Sequence, residues 1–304
     1  MTWESPQEGS HNIYSQQFDG AGGAVNKEFR INTDINSNQM SSCVIGLNEG
    51  GFLVVWESVS QDGYGRGIYA QRYHENASTL GSEFQVNTET SGDQWDPSLT
   101  ELSNGDLVFI WTSNTQGNND IHGQRYDNMG NVADAEFLIN TYTSSNQMNA
   151  CVTGLSGGGF VVTWESQQDG ARYGIYGQRY DSVGNAVGSE FPVNTSTTSD
   201  QLNSSVTGLS NGGFIVVWAS NHEANWGVYG QRFDNVGNLL GAEFQVDSHT
   251  TGDQGKPSVT SLNDGGFVVA WESWGQDGNG SGIYGQRYDE KGAPVGISLD
   301  NAPT

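Results

Sequence analysis

Three glycine-rich loops each carry an aspartate that could bind a hard cation. Each loop contains a Gln-Asp-Gly triplet, which places the carboxylates of Asp62, Asp169 and Asp277 among glycines. Calcium takes about six to eight oxygen ligands, and a glycine-rich backbone can turn its carbonyl oxygens toward an ion beside the carboxylate. Asp-Gly pairs are also typical of tight turns without any metal. We therefore expect calcium as the one candidate cofactor, with plain turns as the alternative.

Aromatic residues outside the repeated pattern of this chain are candidates for ligand binding. They fall in loops or at the starts of strands, and they are Tyr64, Trp95, Tyr173, Trp226 and Trp274. An exposed aromatic ring can stack on a sugar ring while neighbouring Asp, Asn or Gln side chains bind its hydroxyl groups. The structural alternative is that each ring packs over a neighbouring loop. These residues are the predicted ligand-binding set.

Recurring charges on neighbouring strands indicate a structural link. Five of the eight arginines share one repeat position, namely Arg72, Arg125, Arg179, Arg232 and Arg287. Four glutamates recur on the next strand, namely Glu83, Glu136, Glu190 and Glu243. Charge-assisted pairs across adjacent strands explain both sets economically. We predict Arg-Glu pairs within each unit and no arginine cluster for a substrate carboxylate.

No catalytic constellation stands out from the repeats. The chain has no His-Glu-x-x-His motif and no phosphate-binding loop, and its five histidines show no metal-ligand spacing. An enzyme is expected to break the repeat at one place with its own set of residues. Pairs among the 35 acidic residues leave a glycoside hydrolase open. The prediction is a non-enzymatic protein with no catalytic residues, and a propeller glycoside hydrolase is the remaining alternative.

A regular repeat positions all of these residues. Equivalent tryptophans stand at Trp3, Trp56, Trp111, Trp164, Trp218 and Trp271, with spacings of 53, 55, 53, 54 and 53 residues. Such a period indicates one supersecondary unit copied many times. We predict a single domain over residues 1–304 with units of about 1–55, 56–110, 111–163, 164–217, 218–270 and 271–304.

Each unit contains four strand-like runs separated by turn residues. In the second unit these are 52–58, 68–73, 83–87 and 97–102, and the first of them is apolar on both faces. A strand of that kind must be covered on both faces. The pattern predicts an all-β protein, a β-propeller of six four-stranded antiparallel blades, and a β-sandwich is the alternative. Only five units have the last run, so the first blade should lack one strand, to be supplied by upstream sequence or a neighbouring molecule.

Composition limits the classes of partner. The formal net charge is −24, with 11 Lys plus Arg against 35 Asp plus Glu. A surface of this charge repels phosphate backbones, so we expect no binding to nucleic acid. No apolar run approaches the roughly 18 residues of a membrane span, so we expect no insertion into membranes. Cys43 and Cys151 occupy one repeat position two units apart, which predicts small, buried strand residues and no disulfide.

The repeat resembles a known type. It combines Gly50-Gly51-Phe52-Leu53-Val54-Val55-Trp56-Glu57-Ser58 with the later runs Gln-Asp-Gly, Gly-Ile-Tyr-Gly-Gln-Arg-Tyr-Asp, Glu-Phe-x-Val-Asn-Thr and Gly-Asp-Gln. This combination is similar to the propeller-type repeats of large secreted bacterial proteins, which often also carry haemolysin-type calcium-binding repeats. The resemblance implies an extracellular or cell-surface location and a role in adhesion or carbohydrate binding.

Two functions are expected from these observations. The first is multivalent binding of carbohydrate or another cell-surface ligand through the blade loops, with calcium as a candidate aid. The second is a structural segment of an extracellular fibre or giant adhesin, completed by strand addition and capable of self-association.

Overall fold

The computed structural model describes residues 1–6, 9–115, 117–168, 170, 172–221 and 225–296. All regular secondary structure in these ranges is β-strand. No helix of a length and hydropathy suited to crossing a membrane occurs in this part of the chain. The strands belong to two compact units, Met1–Glu101 with Gly105–Ile139, and Leu102–Asn104 with Asn140–Thr304. The single domain over residues 1–304 stays a prediction.

The first unit contains three sheets. Its strands are β1 (Thr2–Ser5), β2 (Asn12–Ser15), β3 (Phe29–Arg30), β4 (Gln39–Gly46), β5 (Phe52–Val59), β6 (Arg66–Tyr73), β7 (Thr79–Gln85), β8 (Gln94–Glu101), β9 (Leu107–Ser113), β10 (Asp120–Tyr126) and β11 (Phe137–Leu138). Strands β1 to β3 form the first sheet, β4 to β7 the second and β8 to β11 the third.

The second unit also contains three sheets. Its strands are β12 (Gln147–Gly154), β13 (Phe160–Ser166), β14 (Gly174–Tyr180), β15 (Ala186–Pro192), β16 (Gln201–Gly208), β17 (Phe214–Ser220), β18 (Gly227–Phe233), β19 (Leu239–Gln245), β20 (Gln254–Ser261), β21 (Phe267–Trp274), β22 (Ser281–Tyr288) and β23 (Pro294–Val295). They form the fourth, fifth and sixth sheets in groups of four.

Every sheet is an antiparallel meander in which consecutive strands pair. Five of the six repeat tryptophans lie on the second strand of a four-stranded sheet, whereas Trp3 lies on β1, the first strand of a sheet that has three strands in the described residues. The all-β, four-stranded propeller-type fold and the incomplete first blade are therefore confirmed. The third run of the repeat was placed too late in the sequence, since β7 covers residues 79–85 and not 83–87.

The tryptophan strands form the core because both of their faces are covered. In β5, Leu53 and Val55 pack with the core between the second and third sheets. Val54 and Trp56 of the same strand pack with the core between the first and second sheets. All four of these side chains have no exposed surface. A strand buried on both sides explains the continuous apolar run, as anticipated for stacked sheets.

The first strand of each four-stranded sheet contains a β-bulge. The bulges follow Met40, Trp95, Met148, Leu202 and Gly255. The next residue in each case is left-handed, with φ between 49° and 56°, and these residues are Ser41, Asp96, Asn149, Asn203 and Lys256. A bulge leaves its extra residue outside the hydrogen-bond ladder. Its N–H group can therefore bind a side chain of the preceding sheet.

The predicted Arg-Glu pairs are wrong. Arg72 donates to the backbone carbonyl of Asn128, and Arg125 pairs with Asp106 and Asp134. Glu83 instead accepts hydrogen bonds from the backbone N–H and the hydroxyl of Thr33. A register shift between Ala70 and Arg72 places Leu80 opposite the arginine, so the glutamate lies further along the strand.

The two cysteines are not joined by a disulfide in the described residues, and they are half-buried instead of fully buried. Each packs at the margin of a hydrophobic core, Cys43 in the first unit and Cys151 in the second.

Candidate functional site

The first unit contains a cluster of carboxylates around one arginine. Glu57 lies on β5, directly after the buried Trp56, and its side chain is only 2% exposed. Its Oε1 accepts from Arg66 Nη1 at 3.2 Å, and its Oε2 accepts from the backbone N–H of Asp96 at 3.4 Å. Arg66 is at the start of β6 and Asp96 is the bulge residue of β8. The second and third sheets together therefore hold two acids beside one guanidinium.

Burial raises the pKa of both acids. For Glu57, desolvation is the largest cause, Arg66 opposes it, and the charges of Asp96 and Glu4 raise the pKa further. Desolvation also raises the pKa of Asp96, opposed by Arg66 and by a hydrogen bond from the side chain of Ser41. A carboxyl group in such surroundings retains its proton at a higher pH than an exposed one. Perturbed groups of this kind are typical of functional sites.

A third carboxylate reaches the same place through Ser41. Glu4 of β1 accepts from the backbone N–H of Ser41 at 2.8 Å, and its side chain is 39% exposed. The Ser41 side chain is hydrogen-bonded to the Asp96 carboxyl group. Two carboxyl groups that bind one serine in this way lie within about 9 Å of each other. We call Glu4, Ser41, Glu57, Arg66 and Asp96 the carboxylate site.

The repeat accounts for the glutamate that binds the bulge N–H, but it does not account for the second acid, Asp96. Glu165 of the fourth sheet makes the corresponding bond, because its Oε1 accepts from the backbone N–H of Asn203 at 2.7 Å. A glutamate holding the next bulge is therefore a structural feature of the fold. Asp96 is different, because the other bulge residues are serine, asparagine or lysine.

Sequence reasoning missed the carboxylate site, although a signal was present. Aligning the five bulge positions singles out Asp96 as their one acidic residue. The comparison has to be made among the residues at the bulge position. The loops with the Gln-Asp-Gly triplets do not reveal it. The expectation of no catalytic residues rested on the loops and on familiar motifs.

Two of the five predicted ligand-binding aromatics come together. Trp226 and Trp274 line one cavity of about 300 Å³ in the second unit, together with Asp253, Lys256 and Glu272. Trp274 is 60% exposed and Trp226 is half-buried. We call the cavity lined by these residues, with Ala219, Leu202 and Gly255 on its other walls, the tryptophan pocket.

The other three aromatics lie apart from this pocket. Tyr64 is 64% exposed at the turn between β5 and β6. Trp95 is half-buried on β8, beside Asp96 in sequence and opposite Thr112. Tyr173 is half-buried before β14, and its N–H donates to Asp200. The structure therefore does not bring all five into one site.

The predicted calcium ligands act in tight turns. Asp62 accepts from the N–H of Tyr64 at 3.0 Å, and Asp277 accepts from the N–H of Asn279 at the same distance. Asp169 lies outside the described residues. No group of three or more His, Cys, Asp or Glu side chains suited to a metal ion occurs in the described ranges. Calcium stays a prediction.

Two Gly-x-Ser-x-Gly strings, at 154–158 and 208–212, lie at hairpin turns between antiparallel strands. A nucleophile elbow places its serine between a strand and a helix. These serines are therefore turn residues, as shown by the hydroxyl of Ser156, which donates to the carbonyl of Leu209.

No protein-family model and no curated protein sequence matches the chain. Solved structures share its fold at low sequence identity. An α-L-arabinanase from Penicillium chrysogenum, complexed with arabinobiose, superposes with a TM-score of 0.61 at 17% identity, covering 96% of this chain and 90% of that one. An α-L-arabinofuranosidase from Fusarium graminearum, in complex with an iminosugar inhibitor, gives 0.63 at 13% identity, covering 95% and 88%. A protein of unknown function from Dyadobacter fermentans gives 0.58 at 10% identity, covering 88% and 84%.

These comparisons correct the predicted function. The expectation of a non-enzymatic binding module, or of a purely structural segment, took the repeated propeller architecture as evidence against catalysis. That inference is wrong, because glycoside hydrolases share this architecture over most of the chain. At 13% to 17% identity the likeness itself shows the fold, and the activities belong to those proteins.

Proposed function

We propose that this protein is a glycoside hydrolase whose reaction takes place at the carboxylate site. The observation that carries the proposal is the grouping of Glu4 and Asp96 around Ser41, with the pKa of Asp96 raised. Glycosidases pair a protonated carboxyl group with an ionised one across the scissile bond, at separations from roughly 5 to 9.5 Å. The fold shared with arabinanases and arabinofuranosidases supports this reaction class.

Asp96 is the general acid in this proposal. Its half-buried side chain and raised pKa keep a proton available, and that proton passes to the glycosidic oxygen as the C–O bond breaks. Glu4 is the second carboxylate. It either takes a proton from the water that attacks the anomeric carbon or attacks that carbon itself.

Glu57 and Arg66 are positioning residues. Glu57 is too buried to reach a substrate, but its Oε2 accepts the backbone N–H of Asp96 and so holds that residue in place. Arg66 compensates the buried charge of Glu57 at 3.2 Å. The ion pair with Arg66 and the hydrogen bond to the bulge N–H allow Glu57 and Asp96 to lie close together in the folded protein.

Arabinose-containing glycans are the proposed substrate class. The support is the bound arabinobiose of the Penicillium structure and the arabinofuranosidase activity of the Fusarium protein. An extracellular location would suit a polymeric glycan substrate, and the resemblance to secreted repeats supports it. The location stays a prediction, as does the resemblance.

The test is hydrolysis by the purified chain. Release of nitrophenol from aryl α-L-arabinofuranoside, and of reducing sugar from arabino-oligosaccharides, is expected for the wild type. Glu4→Gln should lower kcat by about 10² to 10⁴-fold, as expected for loss of one catalytic carboxylate. Glu165→Gln is the matched control, since Glu165 makes the same structural bond to a bulge N–H in the second unit.

Azide tests whether Glu4 acts on the anomeric carbon, as a base or as a nucleophile. If Glu4→Ala recovers turnover with azide and yields a glycosyl azide, Glu4 is the carboxylate on the anomeric side. Absence of hydrolysis across arabinosides, xylosides and galactosides by folded wild-type protein would refute the proposal. Equal loss in Glu4→Gln and Glu165→Gln would also refute it, because a structural effect would then explain both.

A further inference from the structure

The tryptophan pocket lies between the fifth and sixth sheets and plays no part in the proposed reaction. Leu202 and Ala219 form its wall on the fifth sheet, where they are directly paired across β16 and β17. Gly255 and Glu272 form its wall on the sixth sheet, paired across β20 and β21. Its volume of about 300 Å³ is at the lower end of the range for small-molecule sites.

Two small residues open this pocket. Ala219 follows Trp218, at the position where Glu57, Glu165 and Glu272 follow their tryptophans. Gly255 stands where the other sheets have methionine, tryptophan or leucine. A Cβ atom at Gly255 would meet no heavy atom within 4 Å, so the missing side chain leaves open space. The pocket therefore exists because this copy of the repeat lacks two side chains.

Two tryptophans line the pocket, and Asp253 holds the backbone of both. Its Oδ1 accepts from the backbone N–H of Trp226 at 3.1 Å, and its carbonyl oxygen accepts from the backbone N–H of Trp274 at 2.9 Å. Trp274 is 60% exposed although it belongs to a strand. The exposed indole of Trp274 offers a large, flat surface on which a sugar ring can stack.

The polar groups of the pocket suit a neutral, hydroxyl-rich ligand. Lys256 Nζ pairs with Glu272 Oε2 at 3.0 Å, and the Ser281 hydroxyl donates to the other oxygen of Glu272. The cation at Lys256 disfavours a cationic ligand, while Glu272 and Asp253 disfavour an anionic one. The ammonium and carboxylate groups can donate to and accept from sugar hydroxyls.

We propose that the tryptophan pocket is a second, non-catalytic sugar subsite that binds one neutral mono- or disaccharide unit by stacking on Trp274 and Trp226. It is created by two departures from the repeat, Ala219 and Gly255. It is independent of Glu4 and Asp96, so hydrolysis is not required for it to bind.

The test restores the missing side chains. Ala219→Glu and Gly255→Met return each position to a residue type that other sheets of this chain carry, so the fold should persist while the pocket fills. Calorimetric titration with arabinobiose and xylobiose, in an Asp96→Asn background that prevents turnover, should lose one binding site in either variant. Trp274→Ala should weaken binding at this site at least tenfold, and Trp274→Phe should weaken it less because a ring remains.

Two controls make the outcome decisive. Turnover of a small aryl glycoside, measured without the Asp96 substitution, should be unchanged in Ala219→Glu and Gly255→Met. Titration with choline tests a cationic occupant. Sugar binding that is unchanged in Ala219→Glu, choline binding tighter than that of either sugar, or no sugar binding by folded Asp96→Asn protein would each overturn the subsite. If folded wild-type protein hydrolyses no glycoside but sugar still binds in the tryptophan pocket, the result would count against the proposed function alone.

Discussion

The carboxylate site and the tryptophan pocket occupy the same positions of the repeat. Glu57, Arg66 and Asp96 in the first unit correspond to Ala219, Trp226 and Lys256 in the second. In both regions an aspartate before the bulge accepts the backbone N–H at the middle position, Asp93 from Arg66 and Asp253 from Trp226. The backbone arrangement is common to both regions, while the side chains provide either buried acids or an open aromatic cavity.

The shared backbone contacts belong to the fold, and the side chains that differ between the two regions give each region its own chemistry. The fourth and fifth sheets show an intermediate case, in which Glu165, Tyr173 and Asn203 fill the same three positions. There the glutamate holds the bulge N–H, no second acid is present, and tyrosine replaces the arginine. Each region therefore supplies a substitution that can be tested in the other, using residues the fold already accepts.

Asp96→Asn should produce the largest effect. Asparagine occupies the same bulge at Asn149 and Asn203 with φ of 52° and 56°, so the left-handed backbone should be unaffected. Loss of the general acid should lower kcat by about 10² to 10⁴-fold on substrates with a poor leaving group. The loss should be smaller for aryl glycosides, whose leaving group needs less protonation. An equal loss on both substrates would argue against the acid role.

The sequence was sufficient for much of the fold and little of the site. A tryptophan every 53 to 55 residues and runs apolar on both faces predicted the stacked sheets, because such strands have no solvent-facing side. The pairing of Arg72 with Glu83 was predicted incorrectly because an irregularity between Ala70 and Arg72 shifts the register by two residues and places Leu80 opposite Arg72. Glu83 instead binds Thr33, which follows β3 of the preceding sheet.

The carboxylate site was hidden for the same reason. Glu57 and Asp96 are 39 residues apart and meet only because a bulge turns the Asp96 N–H toward the preceding sheet. Trp226 and Trp274 were recognisable, since the repeat does not require them. Their pocket depends on Ala219 and Gly255. A small residue predicts a cavity only when the side chains that surround it in the fold are known.

Arg66→Gln should have the next largest effect, on stability. Glu57 is 2% exposed and would lose its ion-pair partner, while the partly exposed Arg66 side chain limits the loss. We expect the free energy of unfolding at pH 7 to fall by about 1 to 2 kcal/mol, measured by urea denaturation. Arg172→Gln is the control, because the Arg172–Asp200 pair is more exposed and should contribute less than about 0.5 kcal/mol. Similar losses in both variants would contradict the buried-charge explanation.

Asn203→Asp should create a weaker copy of the acid pair in the second unit. The new carboxylate would lie beside the buried Glu165, with Tyr173 in place of a compensating arginine. Repulsion and burial should raise the pKa of the new acid and cost about 1 kcal/mol at pH 7.5. The cost should disappear as the pH falls to about 4, because protonation removes the charge.

Adding Tyr173→Arg to Asn203→Asp should recover part of that stability at pH 7.5. The second substitution introduces the guanidinium that the carboxylate site has in Arg66. Urea denaturation of the single and double variants at both pH values measures the effect. A cost that persists at pH 4 would show that the aspartate disturbs the bulge by its shape and not by its charge.

The smallest effect should be a difference in the slope of stability against pH. The folded-state pKa values of Asp96 and Glu57 are raised, so these two groups bind protons more tightly in the folded state, and their contribution to the free energy of unfolding should decline as the pH rises from about 4 through those values. Asp96→Asn removes one of these acids and relieves the other, so its stability relative to wild type should increase with pH. Asp127→Asn should show the opposite slope, because hydrogen bonds from Asn131 hold the pKa of Asp127 below its usual value and favour the charged form. Thermal denaturation from about pH 2.5 to 8 measures both slopes, because the contribution of Asp127 is lost below its ordinary pKa and that of Asp96 above it. If the two variants changed with pH in the same direction, the acids of the carboxylate site would not be held in a protonation-favouring environment, and the basis for assigning Asp96 as the proton donor would be lost.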